Sequence, residues 1–221
     1  MNTKLRIISD VHGKYDRYLK LANESPSGYS LQVGDMGFDY LPLNKLDPSK
    51  HQFFGGNHDN YDVLLASPYL CSAVPHNIGD YGVYVINGIQ FFFVRGALSI
   101  DKVARRNYEF KTGQRVWWQQ EELSYKVLAD AIKLYTVQRP QLVITHTCPR
   151  QIANIIGNPD VLRNFGHDPD TFTEITGEAL QAMFDIHKPK RWIFGHFHKK
   201  WSDTIDGCEF TCLPELGYID I

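Results

Sequence analysis

The sequence lacks a cysteine pattern typical of a metal-thiolate site. Its four cysteines, Cys71, Cys148, Cys208 and Cys212, form no CxxC pair and have no zinc-finger spacing with histidine. Cys208 and Cys212 could face each other across a bent hairpin and cross-link. The simpler interpretation, which we favour, is that all four are buried or half-buried thiols in a reducing compartment.

The sequence also lacks a long apolar run and a strong net charge. The N-terminus, MNTKLRIISDVHG, has too short an apolar stretch for a signal peptide or a membrane span, so we expect a cytoplasmic protein without membrane contact. A net charge of -2 supplies no dense positive field, which argues against binding to long nucleic acids. No linker or internal repeat divides the 221 residues, which predicts a single domain over residues 1–221.

What the sequence does have is a series of short apolar runs that end in polar residues. LRIIS (5–9), SLQVGD (30–35) and HQFFGGNHD (51–59) each fit a buried strand followed by a polar loop. The segment YDRYLKLANES (15–25), after the first of these runs, has helical spacing. These units predict a parallel α/β arrangement at the start of the chain.

The later part of the chain mixes hairpins with helices. The predicted elements are a hairpin turning at Asn87-Gly88, a helix over 119–138, a strand over 141–147, a helix over 178–188, a strand over 191–199 and a hairpin around Asp206-Gly207. The stretch 148–177 is predicted to be irregular. Together with the βα units, this order predicts two mixed sheets packed together with helices outside.

Polar side chains gather at the predicted strand ends. They are Asp10, His12, Asp35, Asn57, His58, His146, His196 and His198. Each alone has an ordinary structural explanation, as a helix cap, a turn residue or a hydrogen-bonded histidine. The carboxyl ends of strands in open α/β sheets are where ligands bind, so five strand ends would bring these side chains to one rim.

The spacing of these residues favours metal binding. In Asp10-Val11-His12 and His196-Phe197-His198, residues two apart on extended backbone would project to the same side and reach a common ion or adjacent ions. Carboxylate and imidazole ligands suit Zn, Mn, Fe or Ni better than Ca. There are more candidate ligands than one tetrahedral ion takes, which favours two ions bridged by a carboxylate and a water.

Five motifs resemble those of the calcineurin-like metallophosphoesterases, in the same order and at the same strand ends. They are ISDVHG, QVGD, FGGNHD, ITHT and IFGHFH, within residues 5–200. The resemblance implies a four-layer α/β/β/α sandwich. It also implies two divalent transition-metal ions, for which we expect Mn first, with Fe, Zn or Ni as alternatives.

The resemblance implies a role for each motif residue. One metal would be held by Asp10, His12 and His198, the other by Asn57, His146 and His196, and Asp35 would bridge both. His58 would contact the substrate phosphate or protonate the leaving group. The implied reaction is hydrolysis of phosphomonoesters or phosphodiesters by direct attack of a metal-bridging hydroxide, in which Asp35 and His58 are the catalytic residues.

The second motif departs from the family pattern. Where an Asp often follows three residues after Asp35, this chain has Phe38, then Asp39, and no Arg-Gly follows. The carboxylate that orients His58 is therefore open between Asp39, Asp59 and a main-chain carbonyl. For Asp59 we favour capping of a helix that begins near Tyr61. The missing Arg argues against the Ser/Thr protein phosphatase branch.

Replacement arginines are predicted in the segment 93–110. Arg95 follows a predicted strand, and Arg105 lies ten residues further on, so both are candidates for substrate binding beside Asn57 and His58. The segment RGALSID (95–101) with EELS (121–124) resembles an insertion found in small bacterial and phage members of the superfamily.

These observations predict a metal-dependent phosphoric ester hydrolase acting on a small phosphate ester, a nucleotide or a phosphopeptide. A Ser/Thr protein phosphatase and a nuclease are alternatives with the same metal site. A metal-free scaffold of the same fold is disfavoured because every ligand position is intact. The sequence does not indicate an oligomeric state.

Overall fold

The computed structural model describes residues 4–66 and 74–221, so Cys71 lies outside the described residues. The strands of this part of the chain are β1 Arg6–Ile8, β2 Ser30–Val33, β3 His51–Phe54, β4 Tyr81–Ile86, β5 Ile89–Val94, β6 Leu142–Thr145, β7 Arg191–Phe194, β8 Trp201–Ile205, β9 Cys208–Cys212 and β10 Tyr218–Asp220. The α-helices are α1 Tyr15–Asn23, α2 Tyr61–Leu64, α3 Lys102–Thr112, α4 Tyr125–Gln138, α5 Arg150–Ile156, α6 Pro159–Asn164 and α7 Ile175–Ile186.

The strands form two mixed sheets. In the first sheet, of order β10-β1-β2-β3, strands β1, β2 and β3 are parallel and β10 is antiparallel to β1. In the second, of order β4-β5-β6-β7-β9-β8, the four central strands are parallel and the two edge strands are antiparallel to their neighbours. The parallel strands of each sheet place their carboxyl ends along one edge of that sheet.

The two sheets and the helices outside them form four layers, which pack together through three hydrophobic clusters. One cluster joins the two sheets and contains alternate residues of their strands, such as Ile7 of β1 and Phe93 of β5. A second packs the first sheet against α1, and a third packs the second sheet against α4, α5 and α7. Adjacent residues Phe92 and Phe93 enter different clusters because successive side chains of a strand point to opposite faces. The predicted α/β/β/α sandwich is therefore confirmed.

Both predicted hairpins are confirmed. Residues Asn87 and Gly88 join β4 to β5 with φ angles of +46° and +77°, as a type I′ turn requires. Asp206 and Gly207 join β8 to β9 in the same way, with φ angles of +50° and +79°. The short loop places Cys208 and Cys212 four residues apart in β9 rather than opposite each other, and both are free thiols.

The helix predictions are partly wrong. The predicted helix over 119–138 is interrupted, because a short 3-10 helix, Gln119–Glu121, is followed by extended backbone, and α4 begins only after its N-cap Ser124. The stretch 148–177, predicted to be irregular, contains α5 and α6. No helix within the described ranges is long and apolar enough to cross a membrane.

Candidate metal centre and active site

The loops that follow β1, β2, β3, β6 and β7 converge at one place between the two sheets. They carry all eight of the polar residues predicted from the strand ends, namely Asp10, His12, Asp35, Asn57, His58, His146, His196 and His198. The convergence follows from the topology, since these five strands are parallel to their neighbours within each sheet.

The backbone at these residues is not the extended chain that the sequence predicted. Strand β1 ends at Ile8 and β7 at Phe194, before the candidate ligands. Positive φ angles occur instead at Asp10 (28°), His12 (48°), Asp35 (60°), His196 (66°) and His198 (52°). Such angles are uncommon for residues other than glycine and concentrate at functional sites, where the surrounding structure maintains them.

The first group of candidate ligands consists of Asp10, His12, Asp35 and His198, whose ligand atoms all lie within 4.8 Å of one another. The Nε2 atoms of His12 and His198 face each other at 2.9 Å. His12 Nε2 lies 3.5 Å from the Asp35 carboxylate, and His198 Nε2 lies 3.5 Å from Asp10. Two imidazole nitrogens and two carboxylates converging on one point form a donor set that fits a divalent transition metal.

The second group consists of Asp35, His146 and His196, again within 4.8 Å. His146 Nε2 lies 3.2 Å from Asp35 Oδ1. The Asn57 Oδ1 atom lies 2.9 Å from His146 Nε2 and 3.0 Å from His196 Nδ1, so it belongs to the same cluster. Asp35 is common to both groups, as expected of a bridging carboxylate.

Asp35 and His196 offer acceptor atoms to a cation. Burial would lower the pKa of His146, but the Asp35 charge outweighs burial and raises that pKa to about 9, so His146 would bind a cation with loss of a proton. Burial alone would raise the pKa of Asp35, but His146 beside it holds that pKa well below its usual value, so the carboxylate is ionised. Burial, reinforced by the neighbouring His146, lowers the pKa of His196 to about 3, so its ring is neutral. The donor chemistry and the spacing of these residues therefore fit two divalent ions.

The orientation of the Asn57 amide is fixed from behind by Ser99. The Ser99 hydroxyl donates to Glu121 Oε2 at 2.7 Å and accepts from Arg105 at 2.5 Å, so its remaining lone pair accepts from Asn57 Nδ2 at 3.1 Å. With Glu121 ionised, the single hydroxyl proton of Ser99 is directed at its carboxylate, so the group of Asn57 that faces Ser99 is the donating NH2. The amide oxygen consequently faces His146 and His196.

Asp59 connects the loops that carry the bridging and amide ligands. Its carboxylate accepts hydrogen bonds from the backbone N–H groups of Gly56 (2.7 Å), Asp35 (3.0 Å), Gly37 (3.3 Å) and Met36 (3.4 Å), and from the Tyr40 hydroxyl (3.0 Å). The favoured prediction that Asp59 caps a helix is wrong. The N-cap of α2 is Asn60, whose Oδ1 accepts from the N–H groups of Asp62 and Val63.

His58 lies beside the cluster, next to Asp35 and His12. Its backbone N–H donates to Asp35 Oδ1 at 2.7 Å, and its ring meets the His12 ring edge-on with centroids 5.0 Å apart. Burial lowers the pKa of the His58 ring although the Asp35 charge opposes this. Asp39, one of the candidates to orient the ring, instead accepts from the Leu41 N–H at 3.0 Å.

Both predicted substrate arginines are buried among protein groups. Arg95 donates to Asp80 at 2.5 Å and to the Gln120 carbonyl at 2.7 Å. Arg105 donates to the carbonyls of Val116 and Asn57 and to Ser99. That either guanidinium contacts the substrate stays a prediction. The hydrogen bond from Arg105 to the Asn57 carbonyl places Arg105 directly behind Asn57.

At Gly56 the backbone passes very close to the candidate ligands Asp35 and His146. A Cβ atom on Gly56 would clash with the Asp35 carboxylate and would lie 2.7 Å from His146 Cε1. Only glycine therefore lets this loop run against the bridging carboxylate and the histidine. Gly195, before His196, has the same relation to the Asp10 carboxylate.

Ser99, Glu121 and the supporting role of Asp59 were missed by reasoning from the sequence. Ser99 and Glu121 belong to the segment whose resemblance to small bacterial and phage proteins was noted, so a signal was present without a role attached to it. Asp59 immediately follows the Asn57-His58 pair, which was the signal available for it.

Comparison with protein families identifies the class of protein to which this chain belongs. The family of calcineurin-like phosphoesterases matches over residues 3–200. The chain belongs to this family, and it is a hydrolase of the phosphoesterase class. No match was found among the curated proteins.

Solved structures with a similar arrangement of the chain are distant in sequence. Phosphopantetheinyl hydrolase from Mycobacterium tuberculosis is 13% identical with a TM-score of 0.48, over 97% of this chain and 91% of the other. An archaeal phosphodiesterase is 14% identical with a TM-score of 0.40, over 96% and 83%. A putative 5'-nucleotidase from Staphylococcus aureus is 10% identical with a TM-score of 0.48, over 96% and 48%.

Proposed function

We propose that the protein is a dinuclear-metal-dependent phosphoesterase that hydrolyses small phosphomonoesters or phosphodiesters by direct attack of water, without a phosphoenzyme. The observation that carries this proposal is the pair of ligand groups that share the buried Asp35. Asp10, His12 and His198 would hold one ion, and Asn57, His146 and His196 the other. Manganese is the first candidate, with iron, zinc and nickel as alternatives.

The residues of the chain position the reactants. When bound, two divalent ions lower the pKa of a shared water and neutralise phosphoryl oxygens. Asp35 keeps the two ligand groups together, and Ser99 keeps the Asn57 oxygen directed at the second group. An imidazole is suited to carry a proton to a departing alkoxide near neutral pH. His58, beside the cluster and not part of either ligand group, is the residue to which we assign this step.

The alternatives differ in substrate rather than in the metal site. A Ser/Thr protein phosphatase is disfavoured by the sequence after Asp35, where Phe38 and Asp39 replace the usual pattern. A nuclease acting on nucleotides or short ends would use the same residues, so a nucleotide remains a candidate substrate beside other small esters. A cytoplasmic location stays a prediction from the sequence.

The proposal is tested by reconstituting metal-free protein with Mn, Ni, Zn or Fe and assaying 4-nitrophenyl phosphate and bis(4-nitrophenyl) phosphate. We expect at least one ester to be hydrolysed with at least one metal. Replacement His58→Ala should lower kcat for a simple alkyl phosphate by about 100- to 10,000-fold, the usual contribution of a positioned proton donor, and should affect the 4-nitrophenyl esters much less because nitrophenolate departs without a proton. His187, which bonds to the Pro140 carbonyl far from the site, provides the control His187→Ala with unchanged kcat.

Two results would contradict the proposal. If neither ester is hydrolysed with any of the four metals, the proposed phosphoesterase activity is contradicted. Full activity of His58→Ala toward an alkyl phosphate would contradict the assignment of His58 alone, since the metal site does not depend on that ring.

A further inference from the structure

A cavity of about 470 Å³ opens directly beside the candidate metal centre. One end is lined by Asp35, Asn57, His58, His196 and His198. The remainder is lined mainly by apolar side chains, among them Leu98, Ile156, Leu162, Phe165, Phe172 and Phe197. Its volume lies within the range of roughly 300–1,000 Å³ typical of small-molecule sites.

Ile156 and Phe197 of the apolar lining also contact the hydrophobic core, whereas the part of the lining contributed by α6 and the residue after it lies outside the core. Helix α6 contains no buried residue, and two apolar side chains, Val161 within it and Phe165 directly after it, remain 39% and 42% exposed while lining the cavity. Leu162 of the same helix is only half-buried. Exposed apolar side chains that converge on one concave surface are a feature of ligand sites rather than of ordinary protein surface.

Three charged residues line the cavity away from the metal centre, and each is paired or neutral. The Asp101 carboxylate lies 3.9 Å from Arg105 Nη1. The Lys199 ammonium donates to the Ile156 carbonyl at 2.6 Å. The Glu174 carboxyl accepts from the Leu98 N–H and the Thr147 hydroxyl, both at 3.3 Å. Burial, with the neighbouring Glu122, raises the pKa of Glu174 to about 8, so this group is uncharged at neutral pH.

The polar end and the apolar end belong to one continuous site. Phe197 lies between His196 and His198 in sequence, so the apolar lining begins within the ligand motif itself. A phosphoryl group at the cluster would therefore have its organic substituent beside α5, α6 and the residues that follow α6.

We propose that this cavity binds the organic group of the substrate, and that the protein acts on phosphate esters of apolar alkyl or aryl groups. The proposal rests on the proposed phosphoesterase function for the position of the phosphate. The lining favours apolar groups over sugars and other strongly hydrated groups, because most of its side chains offer hydroxyls no hydrogen-bond partner. Its polar members beyond the metal centre are Asp101, Asn154, Asn158, Glu174 and Lys199.

The test uses binding rather than turnover. Methyl-, butyl- and hexylphosphonate are titrated calorimetrically into the manganese-loaded protein. Since a buried methylene contributes about 0.8 kcal/mol, we expect Kd to fall about fourfold for each methylene that enters the cavity. A Kd that does not change along the series would overturn the proposal.

Variants in α6 and directly after it test whether the alkyl chain of the phosphonate occupies the apolar part of the cavity. The double replacement Leu162→Gln with Phe165→Gln should abolish the dependence on chain length, and folding should be retained because neither side chain is buried. Ile155 of α5 is 56% exposed and is not part of the cavity lining, so Ile155→Gln should keep the full dependence. Retention of the full dependence by the double variant would overturn the proposal, because the chain would then lie elsewhere.

The two proposals fail in different ways. Hydrolysis of the chromogenic esters with a flat phosphonate series would contradict the apolar cavity and leave the phosphoesterase function standing. A steep series without hydrolysis of either ester under any of the four metals would support the apolar site and contradict the proposed catalysis.

Discussion

The carboxylate of Asp59 offers a sharp test of how the loops of the metal centre are held. Both of its oxygens act as acceptors: Oδ2 receives the N–H groups of Gly56, Asp35 and Met36, and Oδ1 receives Gly37 N–H and the Tyr40 hydroxyl. In Asp59→Asn, one oxygen becomes an NH2 group that cannot accept. Either orientation of the new amide therefore breaks two or three hydrogen bonds and places donors against donors.

The magnitude follows from three contributions. Hydrogen bonds to a charged group contribute about 1.5–3 kcal/mol each, so two lost bonds cost about 3–6 kcal/mol. Burial and the Asp35 charge raise the pKa of Asp59 to about 6, so removing the charge restores about 3 kcal/mol. The unpaired donors cost about 1–3 kcal/mol. Together they give a net loss of about 1–6 kcal/mol, centred on about 3.5 kcal/mol, in the free energy of unfolding.

The assay is urea and thermal unfolding of the metal-free protein at pH 7.5, where the Asp59 carboxyl is ionised. For a chain of this length the expected loss lowers the thermal midpoint by about 5–15 °C. The matched control is Asp62→Asn, because Asp62 is exposed and pairs with Arg115 at 2.8 Å on the surface. That change should cost less than about 1 kcal/mol. Equal stability of the two variants would refute the tethering role of Asp59.

The remaining predictions concern groups around the site. Ser99→Ala frees the Asn57 amide and should weaken manganese binding about 10- to 100-fold, whereas Ser124→Ala, which removes only the N-cap of α4, should leave it unchanged; equal affinity of both variants would contradict the positioning role. For Glu174, burial and Glu122 raise the folded-state pKa from 4.5 to about 8, so the folded protein retains a proton that the unfolded chain loses. Stability should therefore fall by about 2–4 kcal/mol as pH rises from 5 to 8, and Glu174→Gln should remove this part of the dependence; an identical pH profile for the variant would show that the carboxyl does not keep its proton in the folded protein.

The positions of the metal-ligand candidates could be predicted from the sequence because they follow short strands that are largely buried. Strand β6, with the sequence LVIT, has three buried residues and ends directly before His146. Parallel pairing then brings such ends together without further information.

The local backbone could not be predicted in the same way. Asp10, His12, His196 and His198 take positive φ angles that their residue types do not favour, and the surrounding loops impose them. Helices α5 and α6 were missed because Pro149 and Pro159 and the intervening Gly157 indicate irregular structure. In the fold, these residues lie at the ends of two short helices. Pro149 is the N-cap of α5, Gly157 is its C-cap, and Pro159 lies in the first turn of α6.

Contacts across long sequence separations account for the other misses. The bond between Asn57 and Ser99 joins residues 42 positions apart, and Asp59 reaches a loop more than 20 residues earlier. Nothing in the local pattern of the sequence specifies such pairs. Likewise, the sequence offers Arg95 and Arg105 as free charges near strand ends, while tertiary packing surrounds both with carbonyl and carboxylate acceptors.

The most direct test of the dinuclear site is a stoichiometric titration of metal-free protein with manganese, followed by the hydrolysis rate of the better chromogenic ester and by the manganese bound per chain. We predict two ions per chain, activity that requires both, and loss of both in Asp35→Asn, since Asp35 is common to the two ligand groups. Hydrolysis that persists without added metal in the presence of a chelator, or Asp35→Asn protein that still binds two ions and retains activity, would contradict the account.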